Sequence, residues 1–420
     1  MTNQTHQEML QKYAEAIVKV GLNIRAGQRL IISLATTRGV PHQFAPLVRE
    51  VAKAAYVVGA KYVDVIWGDE EMLRLRAQYA PRDSFGEYST WQVDAVMRMI
   101  ENGDALLSIT GANPDLLGGL DPEVVGMMQK THLQHFSRVG EKVSANAINW
   151  CVVAAAGDDW AKKVFPELPA NEAQEKLWKA IFETSRIDQP DPIAAWETHI
   201  VNLRKRAKYL QAKQYTALHY SAPGTDFTLG LPDGHLWISA QSMAQNGIAF
   251  TANMPTEEVF TLPDRNRAEG VVTSTFPLSY GGTLIEDFQV TFENGRVVKV
   301  AAKKGEAALQ KLVDTDEGSH RLGEVALVPA SSPIAQRGHL FYNTLFDENA
   351  SCHIAIGRAY RFTLTGGEEL SDDEFISAGG NVSLNHVDFM IGSPTMDIDG
   401  VKQDGSHEPV IRQGEWAFDA

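Results

Sequence analysis

Hydrophobic rhythm changes halfway along this chain, and that change is what most limits how it can fold. Up to residue 212, short apolar runs alternate with amphipathic helical stretches. From Tyr215 onward, strand-like runs follow one another with little but turn residues between them. Alternating strand and helix is the pattern of a parallel sheet, because a parallel connection must cross over one face of the sheet. Strands separated by tight turns pair antiparallel instead. The chain is therefore expected to hold an α/β N-terminal domain with a mostly parallel sheet (residues 1–212) and a β-rich α+β C-terminal domain (residues 213–420). A length of 420 residues also exceeds what one hydrophobic core comfortably serves.

In the first half, Gln28–Leu34, Tyr62–Trp67, Asp104–Thr110 and Asn149–Ala155 read as strands. A first helix closes at Val20, ahead of the breakers Asn23 and Gly27. Phe44–Val58 and Val93–Ile100 are helical by their apolar spacing, and a charged helical stretch runs from Glu172 to Lys213. No glycine-rich phosphate-binding fingerprint follows any of these strands, which argues against a nucleotide site. The tryptophans Trp67, Trp91, Trp150, Trp160 and Trp178 are placed in the core by default. In the second half, Pro223–Asp226 and Pro232–His235 are turn signals. Asn294-Gly295 between Phe288–Phe292 and Val297–Val300 is the strongest hairpin cue. One helix is expected near Glu306–Val313.

Composition excludes some roles. The chain has 38 basic and 53 acidic residues, a net charge of −15, whereas nucleic-acid binding needs clustered cations. No apolar stretch approaches the roughly 20 residues that span a bilayer. The first residues carry no basic segment followed by an apolar run, so no signal peptide is expected. Two cysteines, Cys151 and Cys352, are too few for a disulfide framework and fit a reducing, cytoplasmic setting. Cys352 precedes a candidate ligand and could be a thiolate ligand, although a buried inert thiol is the commoner state.

The chemistry-bearing residues lie in the second half. In Asn385-His-Val-Asp-Phe-Met-Ile391, the residues Val387, Phe389 and Ile391 share one strand face, so His386 and Asp388 share the other. That face could be solvent or a ligand pair. Glu324 shares a face with Ala326 and Val328, where a buried carboxylate would need a cation or hydrogen bonds; an exposed strand-end Glu is the alternative. His353 heads the apolar run Ile354-Ala-Ile356, as a core histidine or a ligand. Glu257 and Glu258 are adjacent, so only one of them can easily point into a given site. Glu258, Glu324, Glu348 and Asp388 together carry four negative charges, which two divalent cations would balance. Imidazoles with carboxylates are the donor set of a dinuclear hydrolytic centre.

Four segments, Asn253–Thr261, Gly281–Ile285, Phe346–His353 and Asn385–Asp388, closely resemble the aminopeptidase T and aminopeptidase S family of dinuclear metallo-aminopeptidases. The likeness runs along essentially the whole chain. It implies metal ligands at Glu258, Glu324, His353, His386 and Asp388, a further acidic position at Glu348, and a catalytic tyrosine at Tyr360. It implies two divalent ions per subunit (Co, Zn, Mn or Mg), peptide substrates with a free N-terminus, cleavage by metal-activated water, and a homodimer. Glu257 is a candidate general base, with its opposite facing against it. Neither nucleic acid nor membrane is an expected partner. The rival enzyme reading is a dinuclear hydrolase of another amide or of a phosphoester, for which Arg358 is the nearest basic residue. A non-catalytic scaffold would lack tightly bound metal.

Overall fold

The computed structural model describes residues 5–33, 39–280 and 283–419. Leu34 of the first expected strand and Gly281-Gly282 of the Gly281–Ile285 motif lie outside the described residues. The chain forms two compact units. The first comprises residues up to Ile200 together with Gln241–Thr256, and the second comprises Val201–Ala240 with Glu257–Ala420.

The first unit is built on a five-stranded, wholly parallel sheet in the order Asn253–Met254, Trp150–Ala154, Ala105–Thr110, Arg29–Ser33, Tyr62–Val65. The strand Arg29–Ser33, flanked by Ala105–Thr110 and Tyr62–Val65, carries the apolar run Leu30-Ile31-Ile32, and all three are buried, as a strand covered on both faces requires. Ile31 belongs to a core cluster with Val93, Val96, Met97 and Ile100 of the Trp91–Glu101 helix and with Val139 of the Pro122–Ser144 helix. The first helix, His6–Ala16, starts at a reciprocal cap between Thr5 and Glu8. It continues through a wider turn, Ile17–Gly21, and stops where Asn23 and Gly27 take positive φ, 48° and 84°.

Two expectations are corrected here. Gln241–Thr256 lies past the change of rhythm, yet it packs into the first unit, and the crossing expected near 213 falls after Ile200. The segment forms a short hairpin, Gln241–Met243 with Ala249–Thr251, and then the edge strand Asn253–Met254. A strand of two residues is too short to announce itself by alternation. The tryptophans also divide. Trp160 is fully buried, whereas Trp91 is 61% exposed and Trp67 36% exposed.

The second unit contains a nine-stranded antiparallel sheet and a separate four-stranded antiparallel one. In the larger sheet Thr283–Glu293 pairs with Arg296–Lys304. Asn294 at φ 50° and Gly295 at φ 77° make the two-residue turn whose twist matches the strands. The Glu306–Val313 helix forms where expected. The smaller sheet runs in the order Val259–Thr261, Leu322–Leu327, His353–Gly357, His386–Met390, and its two middle strands are buried at every position.

Candidate metal centre

Register in the smaller sheet determines which side chains meet. Directly opposed residues of antiparallel strands share a face. Glu324 opposes Ala355, which opposes Asp388; Gly357 opposes His386. Phe260 opposes Ala326, which opposes His353. Glu258 precedes Phe260 by two residues and falls on that side as well. One face thus gathers Glu258, Glu324, His353, His386 and Asp388, with the small residues Ala326, Ala355 and Gly357 between them and Phe260 and Met390 at its margins. These small side chains leave room above the sheet. Gly357 is required for a further reason: at φ 107° a Cβ there would stand 2.3 Å from the Asn385 carbonyl oxygen.

His353 Nε2 lies 3.2 Å from Glu258 Oε2 and 3.6 Å from Glu324 Oε1. His386 Nε2 lies 3.6 Å from Glu324 Oε2 and 3.5 Å from Asp388 Oδ1. Each oxygen of Glu324 therefore faces a different imidazole. Ligands about 2.1 Å from a tetrahedral ion stand roughly 3.4 Å apart, so these spacings suit coordination. Two triads, Glu258–Glu324–His353 and Glu324–His386–Asp388, each bring their ligand atoms within 4.8 Å of one another and share Glu324.

The proton inventory explains why a cation fits. His353 Nδ1 bonds the Ser351 carbonyl at 3.0 Å, and His386 Nδ1 bonds the Arg358 carbonyl at 2.7 Å. A carbonyl only accepts, so both Nδ1 atoms carry the proton, and a neutral ring turns its Nε2 lone pair toward the carboxylates. Lone pairs then face lone pairs. Glu258 Oε2 and Asp388 Oδ1 find no hydrogen-bond donor among the described residues. Glu258, Glu324, His353 and Asp388 are all buried. Such a cluster is stable only with added positive charge.

The electrostatics agree. Burial pushes Glu324 up to about 7, with His353 and His386 pulling it back down. Burial raises Glu348 well above the usual range, and Asp388 and Glu258 push it further. Burial alone would lower His386, but Asp388 and Glu324 outweigh it and raise it to about 9. Burial likewise opposes the charged form of His353, and its contacts with Glu258 and Glu324 reverse the direction. Imidazolium and neutral acid are the cluster's own substitutes for a metal ion.

The remaining expected residues sit around these triads. Glu348, in a turn at Glu348–Ala350, belongs to neither triad, but its charge acts on the same acids and on His353. The Glu257 backbone N–H donates to Asn349 Oδ1 at 2.7 Å, and its negative charge acts on Arg206. The Tyr360 ring lies 4.8 Å from the His386 ring. Burial, and then the charges of Glu324 and Asp388, hold its phenol well above the usual range. Cys352 is outside the centre: its thiol donates to the Val328 carbonyl at 3.2 Å, and burial pushes it up to about 11.

One supporting group carries no ligand signature in the sequence. Asp316 Oδ1 accepts from Ser319 N, Ser319 Oγ and Ser383 Oγ at 2.7, 2.9 and 2.8 Å, and Oδ2 accepts from Leu384 N at 2.6 Å. Asn385 Nδ2 reaches Ser319 Oγ at 3.1 Å, and Asn381 Nδ2 reaches the Gly357 carbonyl at 2.6 Å. These bonds fix the segment that delivers His386 and Asp388. Only the run Asp314-Thr-Asp-Glu317, read as a cap or turn, could have hinted at it.

Comparison with known proteins gives a matching picture. The family model described as thermophilic metalloprotease (M29) matches residues 6–416. Aminopeptidase AmpS of Bacillus subtilis is 46% identical over 98% of this chain and 99% of its own length. Aminopeptidase T of Thermus thermophilus is 45% identical over 97% of this chain and 98% of its own. The solved structure of wild-type AmpT from Thermus thermophilus has a TM-score of 0.91 at 43% identity, covering 99% of this chain and 100% of that one.

Proposed function

The chain belongs to the thermophilic metalloprotease family M29 and is a metallo-aminopeptidase; we propose that it releases N-terminal residues from peptides using two divalent ions held by its two triads. The observation that carries this reading is Glu324, whose two oxygens serve different triads as a bridging carboxylate would. Two divalent ions bound there would supply hydroxide near neutral pH and polarise the scissile carbonyl. Co, Zn, Mn and Mg all accept such oxygen- and nitrogen-rich donor sets.

The protein's own groups have separable tasks. The Nδ1–H bonds to Ser351 and Arg358 fix both imidazoles in the tautomer that presents Nε2. Glu348 is a further ligand and supplies the fourth negative charge. Tyr360 keeps its proton at any working pH and donates a hydrogen bond to the oxyanion that develops on the carbonyl. Glu257 takes a proton from the attacking water and hands it to the leaving amine. The free α-amine of the peptide would bind at one of the two ion sites, which restricts cleavage to the first residue. A phosphoester reading is disfavoured because the Arg358 guanidinium is engaged by the Ser383 and Leu384 carbonyls, at 3.0 and 3.4 Å.

The test is dialysis against a chelator, then titration with Co²⁺, Zn²⁺ or Mn²⁺ while following Leu-p-nitroanilide hydrolysis. Activity returning with about two equivalents supports the reading; activity surviving complete metal removal refutes it. We also propose a homodimer. The Glu70–Tyr79 helix buries no residue, and it presents Met72, Leu75 and Tyr79 at one helical spacing, 62%, 39% and 78% exposed. Light scattering that finds a monomer at micromolar concentration would exclude the dimer. We assign the enzyme to the cytoplasm because both cysteines are buried free thiols. Among the described residues no helix is long and apolar enough to cross a membrane.

A further inference from the structure

Three aromatic rings stand together at the edge of the polar centre. Phe260 is two residues beyond Glu258 and on the same face of the sheet. Its ring centroid lies 6.3 Å from both Tyr360 and Phe362, edge-on to each, and Tyr360 stacks on Phe362 at 5.3 Å. Tyr360 in turn touches His386, so the group begins where the ligands end. None of the three is fully buried. The neighbouring core cluster of Leu262, Ala359, Leu364 and Phe375 closes without them. The backbone holds them in place: Phe260 exchanges backbone hydrogen bonds with Ile238 at 3.0 and 2.8 Å, and Thr363 donates to the Tyr360 carbonyl at 3.1 Å.

We propose that Phe260 and Phe362, with the Tyr360 ring, form the pocket for the side chain of the substrate's N-terminal residue, and that they select large apolar side chains. The inference rests on the aminopeptidase reading. If the α-amine and scissile carbonyl sit at the metal centre, a single Cα joins them to the side chain. That side chain must then lie within one residue's reach of the ligands. The aromatic rings offer half-buried apolar surface that begins at His386, and burying matching apolar area there favours binding. An aspartate or glutamate side chain would instead meet desolvation beside Glu258, Glu324, Glu348 and Asp388.

The experiment compares kcat/KM for Leu-, Phe-, Gly- and Asp-p-nitroanilide in the metal-loaded enzyme and in its Phe260→Ala, Phe362→Ala and Phe362→Leu variants, with bound metal measured in each. The parent should prefer leucine and phenylalanine over glycine by tenfold or more, with aspartate slowest. Each alanine variant should lower the leucine-to-glycine ratio by about tenfold, the range for removing one apolar contact from a specificity pocket. Phe362→Leu, the variant least disturbing to the fold, should lower the phenylalanine-to-leucine ratio. An unchanged ratio in variants that retain metal would overturn the pocket while leaving the aminopeptidase reading intact. A metal-loaded parent that cleaves none of the four would overturn both.

Discussion

Replacing Asp316 by asparagine removes a charge from a group that touches no candidate ligand. The carboxylate accepts four hydrogen bonds, and an asparagine of the same shape can accept on one side only. With the amide nitrogen in place of Oδ2, the Leu384 N–H meets another donor. One charge-assisted bond is lost outright, at about 1.5–3 kcal/mol, and three others weaken to the neutral value of about 1 kcal/mol. Asp316 is only half-buried, and water recovers part of that loss. We expect a net destabilisation of about 2–3 kcal/mol, or roughly 5–10 °C in Tm for a unit of this size.

The pH dependence follows from the same bonds. Burial opposes the charge, but the bonds from Leu384, Ser383 and Ser319 outweigh it and hold the Asp316 carboxyl below the usual aspartate range. A depressed carboxyl stabilises the fold fully above its unfolded pKa and loses that contribution as pH falls through the folded one. The gap between parent and Asp316→Asn in thermal unfolding should therefore be constant from pH 7 to about 4.5 and close below that. Because Ser383–Asn385 delivers His386, metal affinity at pH 7 should also fall by about 10–100-fold, the usual effect of loosening a ligand's support. A variant that melts within a degree of the parent at pH 7 would refute the reasoning. A gap that does not narrow at all between about pH 4.5 and pH 3 would do the same.

Other substitutions separate the remaining roles. Tyr360→Phe should lower kcat by about a hundredfold with bound metal unchanged; lost metal would make the phenol a structural element. Glu324→Gln should reduce bound metal, measured by plasma mass spectrometry, from two equivalents to one or fewer, since it removes the shared anion; retention of two would exclude a bridge. Gly357→Ala places a Cβ 2.3 Å from the Asn385 oxygen at φ 107° and should destabilise the fold by about 3 kcal/mol or more; near-parent unfolding would contradict that contact. Glu408 is held down to about 2 by Lys213 first and then Lys402. Solvent screens these pairs, so Glu408→Gln should cost only about 1 kcal/mol at pH 7. That difference should vanish as pH falls from about 4.5 toward 2.

Some of this architecture was legible in the sequence and some was not, and the division has physical causes. Continuous apolar runs such as Leu30-Ile-Ile32 announced the parallel strands, and Asn294-Gly295 announced its hairpin, because local energetics decide both. The Pro122–Ser144 helix passed unread. Its buried residues stop at Thr131 and resume at Val139, so no single apolar stripe runs its length. Strand parity put His386 and Asp388 on one face from two residues' spacing. It could not put Glu324 or His353 beside them, since that depends on register between strands far apart in sequence.

Register is also where the centre's construction becomes physical rather than statistical. A shift falls between Leu322 and Glu324, opposite Ile356 and Ala355. At Gly323 a Cβ would stand 2.2 Å from the Arg358 carbonyl oxygen, so a side chain there would force the strands apart. Since a slip of one residue turns every side chain to the other face, carrying the Leu322–Ile356 register on past the shift would set Glu324 opposite Ile354 and turn it away from both imidazoles. The ligands supply the chemistry, but Gly323, Ala326, Ala355 and Gly357 decide whether they meet. Restoring larger residues at these positions would leave every ligand present in the sequence and no site in the fold.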